Sequence, residues 1–147
     1  MTNSIPLQVK MGLVALIEDL PGVSSCHLNR PQPVGENETE SGPVVIIRQE
    51  ESPIATENQL DLSIRMRIRI ALCFSLVVGG PSLDEVSDPF LQSVHALMVG
   101  AARSLPGVQG IQFDGMLPEH EGDAGILNLF YTMLISVSQL DLTAVTP

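Results

Sequence analysis

The sequence predicts an α+β fold: a mixed, largely antiparallel sheet with two helices packed on one face, in the order α-β-β-β-α-β-β, with long projecting strands. Three observations carry this expectation. Apolar residues recur at helical spacing in two segments, and they alternate with a period of two in two unusually long ones. The phrase Leu-Pro-Gly-Val also occurs twice, at Leu20–Val23 and Leu105–Val108. Each copy closes a helix and opens a strand, and two matching corners place both helices on one side of one sheet.

The first helix follows Ser4, a capping residue, with Pro6 tolerated in the first turn. Ile5, Val9, Leu13, Leu16, Ile17 and Leu20 form its apolar stripe, and Pro21-Gly22 stops it. Val23–Leu28 reads as a short strand. Arg30–Pro43 is rich in Pro, Gly, Asn and Glu and reads as a flexible acidic loop. Val44–Ile47, an apolar run before Arg48-Gln49-Glu50-Glu51, reads as a buried strand. A polar loop holding Pro53 and Asn58 then leads to a long strand over Leu60–Val78.

Ser82 and Glu85 fit a capping box for the second helix, and Asp84 suits its N-terminus. Pro89 interrupts the pattern, so the main helix is expected from Ser87. Its apolar face runs from Phe90 to Leu105. Val108–Phe113 reads as a strand, Glu119–Gly125 as an acidic loop, and Ile126–Val137 as a final alternating strand. The two longest strands would run about 40 to 60 Å if straight. A compact domain of this size is only about 40 Å across. Strands of that length must bend or reach out, and reaching strands end on a neighbour.

One domain, spanning 1–147, is the natural count, with residues 139–147 as a C-terminal extension. The chain carries seven Lys and Arg against seventeen Asp and Glu, a net charge of −10, and no Trp. Such a balance disfavours wrapping a nucleic acid but suits a path that DNA slides through without sticking. Cys26 and Cys73 sit far apart in apolar patterns and read as structural thiols of a reducing compartment. The first residues resemble no signal peptide, and no stretch is apolar enough for a membrane span, so a cytosol-like location without membrane contact is expected.

The sharpest local pattern is Arg65, Arg67 and Arg69. With a period of two they share one face, while Ile64, Met66, Ile68, Ile70 and Leu72 share the other. One reading is a solvated face paired with nearby carboxylates. The other is a subunit interface in which Arg forks meet a neighbour's Asp or Glu, and phosphate contact is a lesser third. The histidines do not converge: His27 lies on a short strand, His95 on a helix, and His120 between Glu119 and Glu121. That last group reads as a solvated turn rather than a metal site. No nucleophile elbow, phosphate loop or dinucleotide fingerprint is present. No cofactor, no metal and no catalytic residue is expected.

The last third carries a resemblance. Gly122-Asp123-Ala124-Gly125 turns directly into Ile126-Leu127-Asn128-Leu129-Phe130-Tyr131-Thr132-Met133 and on to Val137. Acidic residues, then Ala-Gly, then an alternating strand with a central aromatic is similar to the tail terminator proteins of long-tailed bacteriophages, the minor tail protein U type. The helix-first opening, the Pro43-Val44-Val45-Ile46 strand and the long middle strand before a helix also resemble that family. Glu36–Glu40 and Gln139–Pro147 match no part of the family pattern.

The resemblance implies a hexameric ring that caps the tail tube, stops its polymerisation and offers the surface that joins the head. Its partners would be further copies of itself, the tail tube protein and a head–tail connector or neck protein, with DNA passing through the lumen without sequence-specific binding. Its location would be the virion. Head–tail joining or tail completion proteins share a similar fold and are the first alternative; a small cytosolic α+β enzyme is the alternative of another class. Ring closure needs two different patches. The expected pair is Arg65, Arg67 and Arg69 against Glu121 and Asp123.

Overall fold

The computed structural model describes residues 2–50, 54–57, 61–138 and 141–145. Helix α1 spans Ile5–Glu18; the Ser4 hydroxyl accepts from the Leu7 amide, and Ile5, Val9, Leu13 and Ile17 are buried at helical spacing. Strand β1 (Ser25–Leu28) follows, then a 3-10 turn at Glu36–Thr39, then β2 (Val44–Gln49), β3 (Ile54–Glu57) and β4 (Asp61–Ser75). Helix α2 covers Leu83–Val99, a second 3-10 turn covers Ala101–Ser104, and β5 (Val108–Glu121) and β6 (Ala124–Ser138) complete the chain.

The strands form one sheet in the order β1-β2-β4-β6-β5, with β3 pairing the first half of β4. Among the described residues only β1 and β2 run parallel; every other pair is antiparallel. This is the expected architecture, with one strand more. The helices share one face. Val9, Leu13 and Ile17 of α1, and Val94, Leu97 and Met98 of α2, pack with Met66, Ile68, Ile70 and Leu72 of β4 and with Leu129, Tyr131, Met133 and Ile135 of β6.

The repeated Leu-Pro-Gly-Val corners are the same turn. Gly22 and Gly107 have φ of 85° and 78°, and the Val amide returns to the Leu carbonyl at 3.3 Å and 3.2 Å. Pro at the second position and a positive-φ Gly at the third define a type II turn. Helix α2 does not run into its copy: it ends at Val99, and the 3-10 turn makes the approach.

Other expectations need correction. Helix α2 runs unbroken through Pro89 from the cap at Ser82, whose hydroxyl accepts from the Glu85 amide. Pro89 and Glu85 are both exposed, so water can take the carbonyl that Pro leaves without a helical partner. Glu119–Glu121 is not loop: β5 extends through it, and the hairpin turn is confined to Gly122-Asp123. Strand β4 ends at Ser75 rather than Val78. Pro53 and Asn58 lie outside the described residues, and 54–57 between them form β3. Of the C-terminal extension, 141–145 fold back on the domain: Leu142 accepts from the Ile5 amide and Ala144 from the Ser138 amide, both at 2.8 Å.

Strand β5 is an edge of the sheet, and its outer half is exposed on both faces. Met116 and Leu117 point to opposite sides and both lie open. That edge is interrupted by register shifts at Val108/Gly110 and Phe113/Gly115. Pro118 supplies no N–H there.

Candidate functional site: the open face of the sheet

Because both helices pack on one side, the other side of the sheet is left to side chains and one loop. Along β4 this face presents Arg65, Arg67 and Arg69, then Ala71 and Cys73, while Met66, Ile68, Ile70 and Leu72 are sealed beneath the helices. The arginine row is as the alternation predicts. It is also wider, because Arg48 of β2 stands opposite Arg69. Like charges side by side repel; Arg69 has an ion-pair partner and Arg48 a hydrogen-bond acceptor. Arg69 Nε lies 2.9 Å from Glu50 Oε1, and an Arg48 guanidinium N–H donates to the Arg30 carbonyl at 3.2 Å. The register of Val44, Ile46 and Arg48 would have revealed this fourth cation.

The segment between β1 and β2 lies over part of this face. Arg30 clamps Glu38 with two bonds of 2.8 and 2.7 Å, and Glu38 Oε2 also accepts from the Gly35 amide at 2.6 Å. The hydrogen bonds from Arg30, then that from Gly35, pull the Glu38 carboxyl down to about 2. Val34 thereby packs with Val44, Ile46, Ala71, Cys73 and Ile126, a small second apolar cluster separate from the main core. Gly42 seats this segment against the α1–β1 corner; a Cβ there would stand 1.8 Å from the Gly22 carbonyl oxygen.

Between that segment and the β5–β6 hairpin runs a groove of about 790 Å³. Its floor is the apolar cluster, Arg48 and Arg69 close one end, and Glu119, Glu121 and Asp123 stand on the hairpin rim. The carboxylates expected to act together are therefore on the same sheet face as the arginines. Arg69 shares their groove, whereas Arg65 is ten residues up β4 from Ser75, which faces Ala124, or about 33 Å away. Arg65 and Arg67 border a second, shallower depression with Gln112, Asp114, Phe130 and Thr132, in which the Thr132 hydroxyl donates to the Asp114 carboxylate.

Other polar groups of interest are engaged elsewhere. His95 Nδ1 lies 2.9 Å from the Tyr131 hydroxyl on the helical side, and Phe113 meets both rings. Burial pushes the Tyr131 phenol up to about 12. His27 Nε2 lies 3.0 Å from Ser25 Oγ. His120 and its neighbours Glu119 and Glu121 alternate along β5 and so point to opposite faces. Among the described residues no three His, Cys, Asp or Glu side chains converge as a ligand set.

Both cysteines are free and buried, Cys26 in the main core and Cys73 in the groove floor. Burial raises the thiol of Cys73, the opposite of what activates a nucleophile. What the open face offers is a patterned surface, basic on β2 and β4 and acidic on the hairpin. No protein-family model matches the chain, and no curated protein matches it. Among the described residues no helix is long and apolar enough to cross a membrane.

Proposed function

We propose that this chain is a structural protein of a phage tail neck, the tail terminator, which forms a ring at the end of the tail tube, stops polymerisation and presents a surface to the head. The observation that carries the reading is the separation of opposite charge on the open sheet face. Arg65 and Arg67 lie at one end and Glu121 and Asp123 at the other, with Arg69, paired with Glu50, between them. Two unlike, complementary patches on one subunit are what head-to-tail closure requires. The element order, with its helix-first opening and its final hairpin entering a long strand, supports the family resemblance. In the ring the arginines of one copy meet the carboxylates of the next, and the excess negative charge lets DNA pass through the lumen without binding. The virion is the location that follows.

Light scattering over a wide concentration range, with images of any large species, tests the reading. A closed six-membered ring supports it. A stable dimer with no larger form overturns it. For a monomer, binding to the end of purified tail tubes decides the matter, and failure to bind overturns it.

A further inference from the structure

Strands β1 and β2 run parallel, with Ser25 beside Val44 and Leu28 beside Ile47. The chain leaving Leu28 must therefore travel back along the sheet before it can enter Val44. A parallel pair always needs such a crossover, and a helix usually makes it. Here Asn29–Pro43 makes it with one 3-10 turn, at Glu36–Thr39, and it crosses the open face, where Val34 packs with Ile46 and Cys73.

The crossover is fastened at its roots and lightly held between them. The Asn29 amide donates to the Ile47 carbonyl at 2.8 Å, and the Ser24 amide to the Pro43 carbonyl at 2.9 Å. Further in, the main-chain bonds from Glu38 to Gly35 at 3.1 Å and from Gly42 to Thr39 at 3.3 Å stay within the segment. Side chains tie it to the rest of the molecule. Ser24 Oγ donates to the Glu38 carbonyl at 2.9 Å, the Thr39 and Ser75 hydroxyls lie 2.5 Å apart, and Val34 supplies the apolar contact.

Arg30 gathers these ties. From its place at the root it holds the Glu38 carboxylate, and it also donates to the Gln32 and Pro33 carbonyls at 3.2 and 3.0 Å. One side chain thus folds the crossover back on itself and sets Val34 down on the sheet. Pro31, Gln32, Pro33 and Gly35 around it remain exposed. A segment held by one half-buried valine and a few surface bonds opens at a lower free energy than a core sealed under two helices.

We infer that Pro31–Ser41 is a strap that swings off the open face as a unit, latched by Arg30 and Glu38. Asn29 at φ 51° and Gly42 at φ 148° stand at its two hinges. Its release bares the strip Val44, Ile46, Ala71, Cys73 and Ile126, while the strands and the main core stay folded. That strip runs into Arg48 and Arg69, so the strap decides whether the open face shows apolar surface beside its cations or hides it. The device stands apart from the ring reading and does not need copies to associate.

The two free cysteines report on it, since Cys73 lies under the strap and Cys26 in the main core. The dilute full-length chain is alkylated with N-ethylmaleimide without denaturant, and the two cysteine peptides are followed by mass spectrometry. Arg30→Ala should speed Cys73 by at least about tenfold and leave Cys26 unchanged, because only the local opening becomes easier. Electrostatics alone would act the other way: the Arg30 cation favours the Cys73 thiolate, the reactive form, so losing it slows the reaction. Val34→Ala keeps the latch and thins the cover, and should also speed Cys73, by less. An unchanged Cys73 rate in either variant overturns the strap. Acceleration of both thiols together overturns it too, since the segment would then open only with the whole fold.

Discussion

The Leu76 amide and the Asp123 carbonyl oxygen are 2.6 Å apart, joining the end of β4 to the hairpin turn between β5 and β6. Two segments almost fifty residues apart in sequence thus present a single surface, apolar on one side and acidic on the other.

Reversing charge on Arg65, Arg67 and Arg69 together, each to Glu, should weaken self-association by at least about tenfold, since charge pairs across an interface set register and suppress like-charge contacts. Changing Glu121 and Asp123 to Arg in the same chain should restore it. The readout is the midpoint of the light-scattering curve, and an unaltered midpoint in the triple reversal would count against the charge pairing.

Glu38 is half-buried and its carboxyl titrates near 2, held down by Arg30. Its folded value is depressed below the unfolded one of about 4.3. The clamp therefore contributes above that unfolded value, and the contribution is lost as pH falls through about 2. Carboxyl NMR should follow a Glu38 midpoint near 2 that moves into the ordinary range in Arg30→Ala.

Tyr131 is the one tyrosine in the chain, so its ionisation is readable by ultraviolet absorbance. Burial raises the phenol to about 12. Stability from the neutral phenol is complete below the unfolded value of about 10 and lost as pH rises through the folded one. Tyr131→Phe should remove that alkaline dependence and cost about 1 kcal/mol at neutral pH through the bond to His95, read from the urea midpoint.

The two Leu-Pro-Gly-Val corners should tolerate alanine unequally. At Gly107 a Cβ would stand 2.7 Å from the Ser136 carbonyl oxygen; at Gly22 the nearest atoms are Phe90 ring carbons at 3.2 Å. Both positions have positive φ, so both variants lose stability, by about 1 kcal/mol from the backbone alone. Gly107→Ala should cost about 1 kcal/mol more than Gly22→Ala, because main chain yields less easily than a ring edge. Urea midpoints of the two variants make the comparison.

Ile70→Ala and Arg65→Ala test the alternation of β4 directly. Ile70 is sealed beneath the helices and should cost about 2–5 kcal/mol. Arg65 is exposed on the other face and should change stability by less than about 0.5 kcal/mol. Thermal unfolding separates the two.

Where burial decides structure, the sequence was readable. Both helices show their stripes and their serine caps, and β4 and β6 alternate because one face of each is sealed. Strand β5 defeated the same logic over its outer half. Met116, Leu117, Glu119 and Glu121 are all exposed, so no alternation marks them, and Gly115 and Pro118 read as breakers. Pairing with β6 imposes the extended form there, a tertiary effect invisible in a local window. Strand β3 is four residues long and carries too little pattern to stand out. At the candidate site the arginine row was legible from its period, but the groove was not. It exists because the segment held by Arg30 and Glu38 lies over β2 and β4, and no local spacing encodes that contact.

The flaws along β5 bear on how copies in the proposed ring would meet. An uninterrupted sheet edge is a template without an end, on which each added strand offers another. Here the edge lacks a donor at Pro118 and is bent twice by extra residues, so it is a poor seed for further strands. Copies that meet through side chains instead inherit a fixed angle between neighbours, and a fixed angle counts: it allows a set number of members and then runs out of room.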